Sequence, residues 1–251
     1  MQWEAILLAG GKLEDDFELF GDLPSKAYLP IHGKRMADYV LDALKGVPAI
    51  TRIISVVPHN APEFLGTTAV VGGNSIVESM AAGFQAVNPR TEMALVVTCD
   101  LPLLNPDSIT DFLNQCETAQ AGLCFGYVSK TDSEAKFPGL KHTWVKTNEG
   151  ELCGSGLIGI APSCFPALRR FAAEATQNRK NVFKIAKLFG IPFILKLITK
   201  KLAIADAERR ATQLLGFRAR GIQSRFPEIA FNVDDTETLA SAVSHLNQVA
   251  V

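Results

Sequence analysis

The opening stretch of the sequence lacks the two glycine motifs by which nucleotide-binding sites are most often recognised. G-x-x-x-x-G-K-[ST] occurs nowhere in the 251 residues, and G-x-G-x-x-G does not occur between Glu4 and Lys34, which argues against a Walker-type loop and against the usual dinucleotide-binding turn there. The four histidines have no metal-ligand spacing, and the five cysteines are odd in number and widely scattered. A zinc site and a disulfide framework are therefore not expected.

Long apolar runs and an excess of charge of one sign are also missing. No run approaches the ~20 apolar residues of a membrane span, and the start of the chain has no charged and apolar regions typical of a secretory signal. The formal net charge of −1 gives no general attraction to nucleic acid. With 47% hydrophobic residues, the chain is expected to fold as a single cytoplasmic domain over residues 1–251.

The stretch from Glu4 to Lys34 organises the chain. Its apolar run Ala5–Leu8 is followed at once by Gly10 and Gly11, a pattern that predicts a buried strand ending in a tight turn. Glycines there allow the backbone to approach a ligand closely and to direct N–H groups at an anion. Lys12 and Lys26 add positive charge, so we expect this stretch to bind a polyphosphate.

Strands and helices alternate over the first 117 residues, which predicts a doubly wound parallel sheet. The predicted strands are Ala5–Leu8, Ile53–Val57, Val70–Val71 and Met93–Cys99, and the predicted helices are Met36–Val47, Ile76–Val87 and one that begins at Asn105-Pro106. Further strands of mixed direction are expected around 123–128, 143–145, 157–160, 219–222 and 230–233. Helices are expected from Pro162 onward, over Ala203–Leu215 and over Thr236–Val249.

A basic, helical insertion is predicted at about 163–216. Its segment Arg179–Lys201 holds seven cations, and no acid occurs between Glu174 and Asp206. Such a segment can bind an anionic surface or ligand, or its lysines can simply solvate an apolar helix. Because Gly190 and Pro192 interrupt the helical pattern, membrane contact is not expected.

The opening stretch resembles the signature of the GT-A-like nucleotidyltransferases, which include molybdenum-cofactor guanylyltransferase (the MobA-like NTP transferases) and methylerythritol-phosphate cytidylyltransferase. The family motif reads roughly L-A-x-G-x-G-x-R, then P-K and G-K-P. Here LAGG, Lys26 and Gly33-Lys34 match, whereas Ser25 replaces the proline and Lys12 is the cation nearest to the missing arginine. The resemblance implies a Rossmann-like α/β fold with a mixed sheet. It also implies that the NTP is bound by Leu8, Ala9, Gly10, Gly11, Lys12 and Lys26.

Asp100 is the strongest catalytic candidate. It follows the most apolar strand, and ligands enter open α/β sheets at the carboxyl ends of their strands. The run Cys-Asp-Leu-Pro-Leu-Leu resembles the family element whose aspartate binds the catalytic divalent metal. Asn232 and Asp234 lie in a run that resembles the family's closing motif, and either one could complete a Mg²⁺ site opposite Asp100. Asp235 is expected only to start the last helix.

A second glycine pair precedes the helix predicted at Ile76. Gly73 and Ser79 match the cytidylyltransferase element that contacts the nucleobase, but Ile76 stands where that element has arginine, which weakens any inference of CTP specificity. The small residues from Cys153 to Gly156 could shape an acceptor pocket, or they could form a plain turn before a strand.

The resemblance implies transfer of NMP from an NTP to a small phosphorylated acceptor, with Mg²⁺ as cofactor and pyrophosphate as product. Lys12, Lys26 and Asp100 would be the catalytic residues. Two alternatives remain open. A glycosyltransferase on the same fold usually carries Asp-x-Asp, which this sequence lacks at Cys99-Asp100-Leu101. A non-catalytic nucleotide sensor is suggested by the missing arginine and the replaced proline.

Overall fold

The computed structural model describes residues 1–11, 13, 15–178 and 190–249. Within them, an eight-stranded sheet forms the centre of the molecule. Its strands are β1 (Trp3–Leu8), β4 (Ile50–Val57), β5 (Thr68–Val71), β6 (Met93–Thr98), β7 (Leu123–Ser129), β8 (Val145–Thr147), β9 (Gly150–Ile160) and β10 (Ala219–Gln223). A separate two-stranded hairpin consists of β2 (Pro30–Ile31) and β3 (Lys34–Arg35).

The strand order is β10-β7-β9-β6-β1-β4-β5. Strand β8 pairs with the first three residues of β9. Strands β6, β1, β4 and β5 are mutually parallel, as expected from the alternation in the first 117 residues. Strand β9 runs antiparallel to β6, β7 and β8, whereas β7 and β10 are parallel. The sheet is therefore mixed, which confirms the predicted α/β fold class.

Helices cover both faces of the sheet. They are α1 (Met36–Lys45), α2 (Ile76–Ala86), α3 (Pro106–Ala119), α4 (Lys130–Lys136), α5 (Phe165–Asn178), α6 (Ile191–Ile198), α7 (Ile204–Leu215) and α8 (Thr236–Val249). Helix α3 begins as predicted, because the side chain of Asn105 accepts a hydrogen bond from Ser108 N at 2.9 Å and Pro106 occupies the first turn.

Alternate residues of β1 enter two different cores. Ala5 and Leu7 pack with α1 and α3 on one face, while Ile6 and Leu8 pack with α2 and Phe165 of α5 on the other. All six residues of β1 are buried, which explains why Ala5–Leu8 form a continuous apolar run rather than an alternating one. We call the face that carries Ile6 and Leu8 the α2 face.

The prediction of a strand at 230–233 is wrong. A 3₁₀ turn occupies Pro227–Ala230, with Pro227 in its first turn, and no strand follows it before α8. Phe231 and Val233 are instead buried in a third core beside Phe137 and Leu239. The apolar residues that suggested a strand are therefore explained by a packed loop. Helix α4 and the β2–β3 hairpin had not been expected.

Helices α5, α6 and α7 lie in the interval predicted to be a helical insertion, and residues 179–189 of the basic segment lie outside the described residues. Gly190 and Pro192 mark the start of α6. Among the described residues, no helix has both the length and the hydrophobicity needed to cross a bilayer. The organisation as one domain with an insertion stays a prediction.

Candidate nucleotide cleft

A cleft of about 380 Å³ opens at the carboxyl ends of β1 and β6. Its lining includes many of the residues predicted from the sequence, namely Leu8, Gly10, Gly11, Lys26, Gly73, Ser79 and Asp100. The fold brings them together because β1 and β6 are parallel neighbours, so that both strands end at the same edge of the sheet. We call this cavity the nucleotide cleft.

Gly10 and Gly11 form an open stretch of backbone at the end of β1. Ala9 N still donates to Val56 O of the neighbouring strand at 2.8 Å, but within the described part of the chain the N–H groups of Gly10 and Gly11 donate no hydrogen bond. Among the described residues other than its chain neighbours, a Cβ on Gly11 would meet no atom within 4 Å. The two amides are therefore accessible to an anion. Lys12 lies outside the described residues.

Ser25, which replaces the family proline, ties the following loop to β1. Its hydroxyl is buried and donates to Ala9 O at 2.6 Å, while the backbone N of Lys26 donates to Gly11 O. These two bonds hold the 3₁₀ turn Lys26–Tyr28 against the glycine pair.

Lys26 is buried between two carboxylates. Its Nζ is 2.9 Å from Asp100 Oδ2 and 2.9 Å from Asp234 Oδ1, and its side chain is only 7% exposed. Burial lowers the pKa of Lys26, but the charges of Asp100 and Asp234 and their hydrogen bonds outweigh burial, so that the net pKa is raised. The ammonium group is therefore protonated throughout the physiological range.

The segment before α8 closes the charged side of the cleft. Val233 N donates to the backbone O of Asp100 at 2.9 Å, and Asn232 Nδ2 donates to Asp100 Oδ1 at 3.3 Å. Asp100 is buried, whereas the side chain of Asp234 is 66% exposed. Asn232 thus orients the inner carboxylate, while Asp234 faces Lys26 from the solvent side.

This arrangement suits a divalent cation with hard oxygen ligands. In the part of the chain that the structure describes, no group of three or more His, Cys, Asp or Glu side chains could hold a metal ion. However, Asp100 and Asp234 already share one cationic group, the ammonium of Lys26. Mg²⁺ takes few protein oxygens and completes its shell with water and phosphate, so this sparse pair of carboxylates fits it.

Gly73 and Ser79 meet on the opposite side of the cleft. Gly73 N donates to Ser79 Oγ at 3.2 Å, and a Cβ on Gly73 would lie 2.3 Å from Glu78 Cβ, so the position requires glycine. Ser75 accepts from Glu78 N and begins α2. Ile76, the residue in place of the family arginine, is 62% exposed at the cleft and brings no charge there.

Two residues at or beside the cleft were not predicted from the sequence. Thr98 lines the cleft just before Asp100, and its buried hydroxyl has no hydrogen-bond partner among the described residues. Glu228 is buried, accepts from Asn105 Nδ2 at 3.1 Å and pairs with Lys136, which anchors the turn before Phe231. No local pattern marks either residue, because Thr98 is the last residue of an ordinary apolar strand and the partners of Glu228 are distant in sequence.

Asp235 starts α8, as expected. Its carboxylate accepts a hydrogen bond from Thr238 N at 2.7 Å, and this bond, with those of the Thr238 side chain, lowers the pKa of Asp235. Asp235 therefore acts as a helix cap next to the site.

Comparisons with known proteins identify the family and the fold. The MobA-like NTP transferase domain matches residues 5–188. A hypothetical transferase from Thermus thermophilus has a similar structure, with a TM-score of 0.83 and 28% sequence identity over 95% of this chain and 100% of its own.

Two more distant structures share the fold. The 4-diphosphocytidyl-2C-methyl-D-erythritol synthase of Anaerococcus prevotii is 11% identical over 98% of each chain, with a TM-score of 0.62. The 2-C-methyl-D-erythritol 4-phosphate cytidylyltransferase of Thermus thermophilus is 16% identical over 98% of this chain and 100% of its own, with a TM-score of 0.58. No match was found among curated proteins. Because the family match covers well over half of the sequence, the chain belongs to the MobA-like NTP transferase family.

Proposed function

We propose that the protein is a Mg²⁺-dependent nucleotidyltransferase that moves NMP from an NTP to a small phosphorylated acceptor. The observation that carries this proposal is the position of Lys26 Nζ, 2.9 Å from the carboxylates of both Asp100 and Asp234, at a cleft that also contains the glycine backbone of residues 10 and 11. Family membership supports nucleotidyl transfer in general.

Each part of the cleft has a role in this reaction. The amides of Gly10 and Gly11 bind triphosphate oxygens, and the charge of Lys26 offsets negative charge that builds up on them. We assign Lys12, the other predicted cation of this loop, to the same task. Gly73 and Ser79 contact the nucleobase.

We assign Asp100 and Asp234 as the protein ligands of Mg²⁺. Asn232 uses its amide N–H to orient Asp100 and is therefore the weaker candidate for the second ligand. When bound, Mg²⁺ neutralises charge on the triphosphate and the acceptor.

The bond changes need no protein nucleophile. An oxygen of the acceptor phosphate forms a bond to the α-phosphorus, the bond from that phosphorus to the β-bridging oxygen breaks, and pyrophosphate leaves. The acceptor phosphate is already ionised at pH 7, so no general base is required. The protein contributes position and electrostatic stabilisation, which supply most of the rate in such reactions.

Pyrophosphate release tests the proposal. The full-length protein is incubated with each of the four NTPs, Mg²⁺ and a panel of phosphate monoesters, and release is expected with one base in preference to the others. EDTA should abolish it. NTP binding without pyrophosphate release from any combination would overturn the proposal in favour of a nucleotide sensor. Transfer of sugar from a nucleotide-sugar would instead indicate a glycosyltransferase.

A further inference from the structure

A second cavity of about 270 Å³ lies between the sheet and α7. Its walls are almost entirely apolar, and they include Phe125 and Tyr127 of β7, Leu152 of β9, Leu202, and Ala207 and Ala211 of α7. We call it the apolar pocket. Its two charged lining residues pair with each other, since Arg220 Nη1 lies 3.0 Å from Glu208 Oε2, and Glu208 also accepts from Gly221 N. Neither charge is directed at a polar ligand.

The apolar pocket opens on the same face of the sheet as the nucleotide cleft. Leu123, Phe125 and Tyr127 alternate along β7 and therefore share a face, and Leu123 packs in the core of the α2 face with Leu8. Thr98 lies two residues after Val96 on β6, so both side chains are on the same face of the sheet. Val96 is also part of that core. Both cavities therefore lie on the same face of the sheet.

Strand β9 lies between the two cavities. A Cβ on Gly156 would lie 2.4 Å from Thr98 Oγ1 in the nucleotide cleft, and a Cβ on Gly154 would lie 2.9 Å from the ring of Phe125 in the apolar pocket. Glycine at these two positions therefore lets Thr98 and Phe125 pack directly against the backbone of β9, so that one strand, irregular in its pairing with β7 here, separates the two cavities.

The pocket wall is also within the electrostatic reach of the charged site. Burial raises the pKa of the Cys153 thiol, and the negative charge of Asp234 raises it further. Cys153 lines the apolar pocket, so this pocket lies close to the carboxylate that we assign to Mg²⁺.

We propose that the apolar pocket binds the body of the acceptor, so that the acceptor is the phosphate monoester of a hydrophobic alcohol and not a phosphorylated sugar. This inference rests on the proposed nucleotidyl transfer. A cavity of about 150 Å³ accommodates benzene, so the apolar pocket has room for a larger group, such as a branched alkyl chain or a substituted ring. Phe125 and Val145 are 43% and 40% exposed, and such a group would cover them. A sugar would leave its hydroxyls unpaired against these walls.

Calorimetric titration with a series of alkyl phosphates tests the inference. Ethyl, propyl, butyl and pentyl phosphate and glucose 1-phosphate are titrated into the full-length protein with Mg²⁺ and a non-hydrolysable NTP analogue. Affinity should rise about fourfold for each buried methylene, so pentyl phosphate, with three more methylenes, should bind roughly 60-fold more tightly than ethyl phosphate. Glucose 1-phosphate should bind more weakly than pentyl phosphate. Equal affinity along the series, or tighter binding of glucose 1-phosphate, would overturn the inference.

Two variants test whether the dependence of affinity on chain length arises in the apolar pocket. Ala211→Trp fills the pocket and should abolish the dependence on chain length, while affinity for the NTP analogue stays unchanged. Ala240→Trp, at an exposed position of α8, is the matched control and should retain the dependence. Phe125→Gln replaces a partly exposed wall residue without loss of a buried core side chain. It should reduce the dependence of affinity on chain length even if Ala211→Trp folds poorly. A full dependence in both pocket variants would contradict the assignment.

Pyrophosphate release with pentyl phosphate as acceptor separates the two possible failures. Release with polar acceptors alone would leave the proposed function intact and overturn this inference. If the dependence on chain length persists but no acceptor gives release, the proposed function fails, and the acceptor role of the pocket fails with it.

Discussion

The two walls of the nucleotide cleft are built on different physical principles. The glycine wall (Gly10, Gly11, Gly73 and Ser79) presents backbone amides and a hydroxyl at the ends of strands. The charged wall (Lys26, Asp100 and Asp234) consists of ionised side chains joined by contacts of 2.9 Å. Asp234 is separated from Lys26 by 208 positions in the sequence.

This difference decides how each wall should respond to substitution. The charged wall holds one ammonium group between two carboxylates, so the loss of Lys26 would leave the buried Asp100 without a cation. The glycine wall carries no ionised group. Loss of Lys26 should therefore affect both turnover and stability, and substitutions in the glycine wall should affect nucleotide affinity.

The largest effect is expected from Asp100→Asn. The loss of the carboxylate that we assign to Mg²⁺ should lower kcat about 10³-fold, equivalent to about 4 kcal/mol. Pyrophosphate release and calorimetry of Mg²⁺-nucleotide binding measure the effect. Asp235→Asn is the matched control, since asparagine can still cap α8, and it should retain full turnover. Unchanged Mg²⁺-nucleotide affinity in Asp100→Asn would remove Asp100 from the site.

Lys26→Met should lower kcat by about 10²–10³, the range for loss of one transition-state donor. It should also lower the thermal midpoint in the absence of Mg²⁺, because Asp100 and Asp234 would then repel each other without a cation between them. Added Mg²⁺ should raise the midpoint more in the variant than in the wild type.

Lys34→Met is the control for this substitution. Lys34 forms an exposed pair with Asp42 at 3.1 Å, and such pairs contribute little to stability. Its kcat and thermal midpoint should therefore stay close to the wild-type values. A Lys26→Met protein with wild-type turnover would show that the charged wall is not catalytic.

The second metal ligand can be identified by comparing Asp234→Asn with Asn232→Ala. Loss of the Asp234 charge should weaken Mg²⁺-nucleotide binding about 10- to 100-fold, as for a charged hydrogen-bonding group, whereas loss of the Asn232 bond should weaken it only about fivefold. Titration with Mg²⁺ at fixed nucleotide concentration gives both values. The reverse order would make Asn232 the ligand.

The smallest effect is expected in the glycine wall. Ser79→Ala removes one hydrogen-bonding group and should weaken NTP binding about two- to tenfold with kcat nearly unchanged. Fluorescence titration with a labelled NTP measures the change. A loss of kcat comparable to that of Lys26→Met would erase the distinction between the two walls.

Local patterns in the sequence were sufficient to predict individual strands and helices, including β1, which leads into the glycine wall. The apolar run before Gly10 predicted β1, and Asn105-Pro106 predicted the start of α3, because strand burial and helix capping depend on neighbouring residues. The same reasoning failed for residues 230–233. Phe231 and Val233 are apolar because a loop is packed under α8, and a periodicity of two does not distinguish such a loop from a strand.

The sequence by itself determined the fold class, the family and most residues of the nucleotide cleft, since these depend on short motifs and on hydrophobic periodicity. Only the tertiary structure decided that Lys26 is buried between Asp100 and Asp234, that Asn232 orients Asp100, and that an apolar pocket adjoins the nucleotide cleft. The physical reason is distance along the chain. Ion pairs and cavities form between residues brought together from separate elements, and no local pattern records which partner a charge will meet or which apolar surface will stay uncovered.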